Sequence, residues 1–185
     1  MKKSIITIAG DLASGKGVVS KILAKELGFE IYSNGHYFRE LAKQNGMSVT
    51  EFNEYVESHP EIDQRIEKSA KEYTDTRDNL IIDARLGFFV VKDSFNIYLK
   101  VDIDEAAKRA FNDEKRRDTE SFESLEEHKK DLIKRFNLEN ERYYKIYGVR
   151  KDDLNNYHAV IDTTKLTPEE VAKIIIEKFN TWKNN

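Results

Sequence analysis

Short apolar runs alternate with longer amphipathic stretches along the chain. Ile5–Ala9, Phe29–Tyr32, Leu80–Asp83, Phe95–Val101 and Ala159–Asp162 are nearly unbroken in apolar character, the pattern of strands covered on both faces. Between them, apolar residues at three- and four-residue spacing predict helices over Val18–Leu27, Gly35–Gln44, Val49–Glu57, Pro60–Tyr73, Asp104–Asn112 and Pro168–Trp182. Thr167 is placed to cap the last of these, and the two prolines, Pro60 and Pro168, each open a helix. This alternation predicts an α/β fold of three layers around a parallel sheet. No repeat or low-complexity linker divides the chain, so residues 1–185 read as a single domain.

One stretch departs from the rhythm. Glu114–Tyr147 is densely charged and sits between the fourth predicted strand and the fifth. Two readings fit it: a solvated helical hairpin, or a lid that carries arginines onto bound phosphates.

The junction of the first strand and first helix carries the strongest chemical signal. Gly10-Asp11-Leu12-Ala13-Ser14-Gly15-Lys16-Gly17 has the G-x-x-x-x-G-K spacing of a phosphate-binding loop, placed after a strand and before a helix as such a loop requires. Glycines let successive backbone N–H groups point into one concavity, and the helix N-terminus adds its free N–H groups and dipole. Lys16 supplies a positive charge for the outer phosphates of a nucleoside triphosphate. Where such loops place a magnesium-contacting hydroxyl, this chain has Gly17, followed by Val18. Asp11 places a carboxylate beside the cradle, which is unfavourable unless the side chain points away.

Composition narrows the classes. The chain is 39% hydrophobic and 35% charged, enough for a core beneath a heavily solvated surface. A net charge of −3 gives no global basic field for a nucleic acid polymer. Cysteine is absent and the four histidines are scattered, which leaves no zinc constellation and suits a reducing compartment. The apolar run after Met1 is too short for a secretory segment or membrane span, so a cytoplasmic protein without a membrane partner is expected, as a monomer or weak homodimer.

Phosphoryl transfer needs cations around the phosphates and a second set for the acceptor, placed where open parallel sheets bind ligands, at strand C-termini. Arg39 follows the second strand and Arg85 stands just beyond the third. Either arginine also has an ordinary alternative: Arg39 as a solvent-facing charge near Glu40, Arg85 as a partner of Asp83. Asp83 is either a strand-end cap or the carboxylate that orders magnesium through water, and His36 reads as structural or exposed.

Several stretches together resemble the archaeal-type cytidylate kinases, within the nucleoside monophosphate kinase group of P-loop proteins. They are Tyr32–Ala42, Gly46-Met47-Ser48, His59–Asp63, Ile82–Leu86, Arg142–Val149 and Val160–Thr164, and they span nearly the whole chain. The resemblance implies a P-loop NTPase-like fold with a five-stranded parallel sheet, a helical monophosphate-binding segment at residues 33–75 and a helical lid at 114–147. It implies that Arg39, Arg85 and Ser33 hold the acceptor phosphate and that Asp63 contacts base or ribose. Residues 10–18 would bind ATP, with Thr163 and Thr164 near the adenine. Arg135 and Arg142, seven residues apart and so about 10 Å apart on one helical face, match the pair with which that group clamps the transferring phosphate. Magnesium would accompany ATP, and the partners would be ATP and a nucleoside monophosphate. The family's loop carries Ser or Thr after its lysine; adenylate kinases also have glycine there but keep a threonine one place later, where this chain has Val18. The reading that follows is transfer of the ATP γ-phosphate to CMP or dCMP. A P-loop kinase for another nucleotide or small metabolite, and a non-catalytic nucleotide-binding protein, are the alternatives.

Overall fold

A computed structural model describes residues 3–113 and 124–184. Its sheet has five parallel strands: β1 (Ile5–Gly10), β2 (Glu30–Ser33), β3 (Leu80–Asp83), β4 (Phe95–Lys100) and β5 (Ala159–Asp162), in the spatial order β2-β3-β1-β4-β5. The helices are α1 (Lys16–Leu27), α2 (Asn34–Gln44), α3 (Val49–Glu57), α4 (Pro60–Asp75), α5 (Gly87–Val90), α6 (Ile103–Phe111), α7 (Leu125–Tyr147) and α8 (Pro168–Asn184).

The strand alternation sorts side chains onto two faces. Ile6 and Ile8 join Val19 and Leu23 of α1 and Val171, Ile175 and Phe179 of α8 in one core. Ile5, Leu80, Ile82 and Val91 form another on the opposite face. Helices α2, α3 and α4 have a small core of their own around Phe38, Phe52, Val56 and Ile66. β1 is buried along its whole length, as its unbroken apolar run predicted. The chain passes from β1 to the edge strand β2, returns to β3 beside β1, and then crosses to β4 and β5 on the other side, and such a reversal opens a crevice at the strand C-termini. Both the glycine loop and the β3 tip lie there.

The elements differ from expectation mainly at their ends. β2 starts at Glu30 because the Phe29 N–H is spent on the Ala24 carbonyl at the end of α1, while the Phe29 ring packs edge-on against Phe179 of α8. α6 starts at Ile103, since the Asp102 side chain accepts from the N–H groups of Asp104 and Glu105 and caps the helix there. Thr167 caps α8, accepting from Glu170 N while Glu170 bonds back to it. The single-turn helix α5 had no periodic signal.

The larger difference concerns the charged stretch. Residues 125–147 form one 23-residue helix that is not solvated all round, capped by Ser124 and closed by Gly148 at φ 69°. Its face of Leu132, Arg135, Glu139, Arg142 and Tyr143 is buried against the neighbouring helices. Charge enters the interior here because partners neutralise it, Glu139 and Arg142 meeting groups from elsewhere in the chain and Arg135 meeting Asp131 of the same helix. Residues 114–123, the start of the expected lid, lie outside the described residues.

Candidate active site

The loop after β1 takes the conformation a phosphate cradle needs. Gly10 has φ 150°, and a Cβ there would stand 2.3 Å from the carbonyl oxygen of Leu99 on β4. Gly15 caps α1 at φ 89°. Lys16 Nζ curls back over the loop, donating to the carbonyls of Gly10 (3.1 Å) and Asp11 (2.6 Å) and to Ser14 Oγ (3.4 Å). Burial lowers the Lys16 ammonium to about 8, opposed by the Asp83 carboxylate and helped by the Arg85 guanidinium. Added phosphate charge would raise it again.

Asp11 points away from the cradle. Its carboxylate accepts from the Tyr98 hydroxyl (2.6 Å) and from Val101 N (2.9 Å), so it braces the loop against β4. Leu12 and Ala13 pack against the small cluster formed by α6 and Leu132. Gly17 and Val18 are exposed, with open space beside Gly17. Thr163 is buried and its hydroxyl meets Ser14 O (3.2 Å) and Lys100 O (2.9 Å), which ties the β5 tip to the loop. The Thr164 hydroxyl donates to Asp162 (2.6 Å), while Arg109 spans the carbonyls of Thr163 (2.8 Å) and Thr164 (3.2 Å).

On the other side of the crevice the strand register sets Ser33 beside Asp83, and Ser33 Oγ donates to Asp83 Oδ2 at 3.2 Å. The position where a Gly35 Cβ would stand is 3.7 Å from Arg39 Nη1, 3.9 Å from Ser33 Oγ and 4.0 Å from Arg85 Nη1. Three groups singled out for the acceptor phosphate thus surround one point at the N-terminus of α2. Such a place attracts an anion through both its forked guanidinium donors and its helix N–H groups.

Arg85 does not pair with Asp83. Its Nε donates to Glu139 Oε2 of α7 at 2.8 Å, and the Lys151 ammonium donates to the same oxygen. Burial disfavours charge on all three groups. Arg85 and Lys151 nonetheless hold the Glu139 carboxyl well below the usual range, and Glu139 holds Arg85 above its own. Lys151 is fully buried and ends up lowered.

Arg142 is held by the helical segment. It pairs with Asp63 of α4 and donates to the Asn53 backbone oxygen (3.3 Å) and side-chain oxygen (3.4 Å) of α3. Burial raises the Asp63 carboxyl, with Arg142 opposing. Arg135 stands 3.7 Å from Asp131, which also accepts from the Thr50 hydroxyl at 2.7 Å. Both expected clamp arginines are therefore buried on the same face of α7, with Glu139 between them.

Residues 5–165 match the model of a described family, the cytidylate kinase-like family. The chain belongs to this family. It is 36% identical over 179 residues to a cytidylate kinase of Thermoplasma volcanium, covering 95% of this chain and 90% of the relative. A cytidylate kinase of Sulfurisphaera tokodaii is 36% identical over 178 residues, covering 95% of each chain. The fold is also that of a shikimate kinase from Acinetobacter baumannii solved with shikimate, at a TM-score of 0.61 and 18% identity over 99% of this chain and 96% of that one.

In this cytidylate kinase-like chain, Glu139 and Lys151 escaped sequence reasoning. Glu139 could have been found, since it lies four residues after Arg135 and three before Arg142 on one helical face. Lys151 gave no such signal, because its loop lies outside any periodic element. No group of three or more His, Cys, Asp or Glu among the described residues is arranged to hold a metal ion. Magnesium keeps several waters and needs only one or two carboxylates when it travels with phosphates. The Asp83 carboxylate, facing Lys16 across the crevice, fits that demand without a resident metal cage. Among the described residues no helix is long and apolar enough to cross a membrane.

Proposed function

We propose that this protein transfers the γ-phosphate of ATP to CMP or dCMP. The convergence of Ser33, Arg39 and Arg85 on one point, across the crevice from the Lys16 loop, carries the reading. The loop at residues 10–18 binds the donor phosphates through its backbone N–H groups and Lys16. Thr163 positions the loop through Ser14, and Thr164 lies toward the adenine. The segment at 33–75 receives the monophosphate, with Asp63 on its ribose or base side, and residues 114–147 act as the lid.

The acceptor phosphate is already nucleophilic, so no general base is needed and catalysis rests on alignment and charge. Lys16, Arg135 and Arg142 spread the charge that develops on the transferring group, the two arginines by exchanging Asp131 and Asp63 for phosphate oxygens. Closure excludes water from the reaction. Asp83 would orient the waters of a magnesium ion, which when bound supplies charge neutralisation at the outer phosphates.

A coupled assay of ADP release with CMP, dCMP, UMP, AMP and shikimate, in the presence of magnesium, tests the reading. The expected result is turnover fastest with CMP or dCMP. Nucleotide binding without transfer to any acceptor would overturn it.

A further inference from the structure

A second polar cluster lies beside the acceptor-phosphate point. Asn34, the residue between Ser33 and Gly35, donates from Nδ2 to Glu67 Oε1 of α4 at 3.2 Å. Both side chains are buried, at 2% and 5% exposure, and their remaining oxygens, Asn34 Oδ1 and Glu67 Oε2, have no hydrogen-bond partner. Folded proteins rarely leave such atoms unsatisfied without a ligand or a chemical use for them. No step of the mechanism above uses either residue.

We propose that Asn34 and Glu67 read the base of the acceptor nucleotide, Asn34 Oδ1 accepting from the exocyclic amine of cytosine and Glu67 Oε2 donating its hydrogen to ring N3. This deepens the kinase reading and rests on it. The bond already present fixes the polarity. With Nδ2 committed to Glu67 Oε1, the amide oxygen can only accept, and the acid proton falls on Oε2. The pair offers one acceptor beside one donor, complementary to the amine and N3 of cytosine. Uracil presents a carbonyl and an N3–H at those positions, so acceptor would meet acceptor and donor would meet donor. A site built from buried hydrogen-bonding groups rejects the mismatched base because its own groups are left unpaired.

The donor role needs a neutral acid. Burial pushes the Glu67 carboxyl up to about 8, helped by Asp63 one turn earlier and opposed by Arg85 and the Asn34 bond. Tyr32 of β2 and Tyr147 of α7 also face it. Arg85 faces Asp63 as well, and so is shared between the two carboxyls. The two orphaned oxygens are enclosed in this conformation, so the base enters as α7 separates from the helical segment.

The experiment is calorimetric titration of CMP and UMP, together with the coupled assay at saturating ATP, between pH 6.5 and 9.5. It compares the wild type with Glu67→Met and Glu67→Gln. Glu67→Met should lose about tenfold or more of the CMP-over-UMP affinity ratio. Glu67→Gln, which restores a donor beside N3, should recover part of that ratio and weaken less than wild type above pH 8. Lys16 titrates in the same range in every variant, so the difference between the CMP profiles is diagnostic. An unchanged ratio in Glu67→Met, or coincident profiles for wild type and Glu67→Gln, would overturn the base reading even if transfer to CMP is intact. A ratio that depends on Glu67 in a protein that transfers nothing would leave base reading standing and remove the kinase.

Discussion

Single residues decide whether the crevice can do chemistry. Lys16 holds the loop together through two carbonyls, and in the proposed transfer it faces the donor phosphates, so Lys16→Ala should lower turnover by about a hundredfold or more. Steady-state rates on a protein whose melting curve is unchanged give the check. Gly10 is constrained differently. Its φ of 150° and the 2.3 Å approach to a strand backbone mean that Gly10→Ala must displace β1 from β4. A loss of about 2 kcal/mol or more is expected from such overpacking, read from urea unfolding. Both residues were legible in the sequence because loop chemistry is local: glycine spacing and an adjoining lysine suffice to specify it. The pairing of Arg85 was not legible. Asp83 is two residues away, but the partner is Glu139, brought in from α7 by tertiary packing.

The behaviour of α7 belongs to the scale of elements. A helix with this many charges would be expected on the surface, yet it buries Arg135, Glu139 and Arg142. The inward pair with Asp63 and the outward pair of Lys134 with Glu54 make a direct comparison, since both link α7 to the helical segment. Removing one partner of a buried pair leaves an uncompensated charge, so Asp63→Ala should destabilise by about 3–5 kcal/mol. Glu54→Ala should change little, because water already solvates both ends. Chemical denaturation of the two variants compares them; equal losses would contradict the placement of Arg142 in the interior. Periodicity marked Arg135 and Arg142 as sharing a face, but the direction of that face depends on helices α3, α4 and α6 packed around it.

At the scale of the whole molecule, the buried acids couple stability to pH. Glu67 has a higher pKa folded, about 8, than unfolded, near 4.5. Between those values the native state binds more protons than the unfolded chain, so stability falls as pH rises, by up to about 1.4 kcal/mol per pH unit for one such group. Asp63, raised in the same sense, adds to the acid end of this window. Glu139 is lowered and acts oppositely, its contribution being lost progressively as pH falls below about 4.5. Lys16, lowered to about 8, favours the folded state with rising pH only above that value. Thermal melts from pH 5 to 8 should therefore show a decline that is shallower in Glu67→Gln, and identical slopes would place Glu67 in contact with water.

The sequence by itself determined the strands, most helices, the phosphate loop and the family of the chain. Each of these is written in short-range terms: unbroken apolar runs, three- and four-residue spacing, glycines before a lysine, and stretches of residues in a fixed order. The tertiary structure alone decided which charges meet. Asp63 and Arg142 are 79 residues apart and Asn34 and Glu67 are 33 apart, and no periodicity links them. An ionisable side chain becomes an ion pair, a neutral acid or a phosphate ligand according to how much water it loses and which groups replace that water. That is settled only when α2, α4, α7 and the tip of β3 close around the same space.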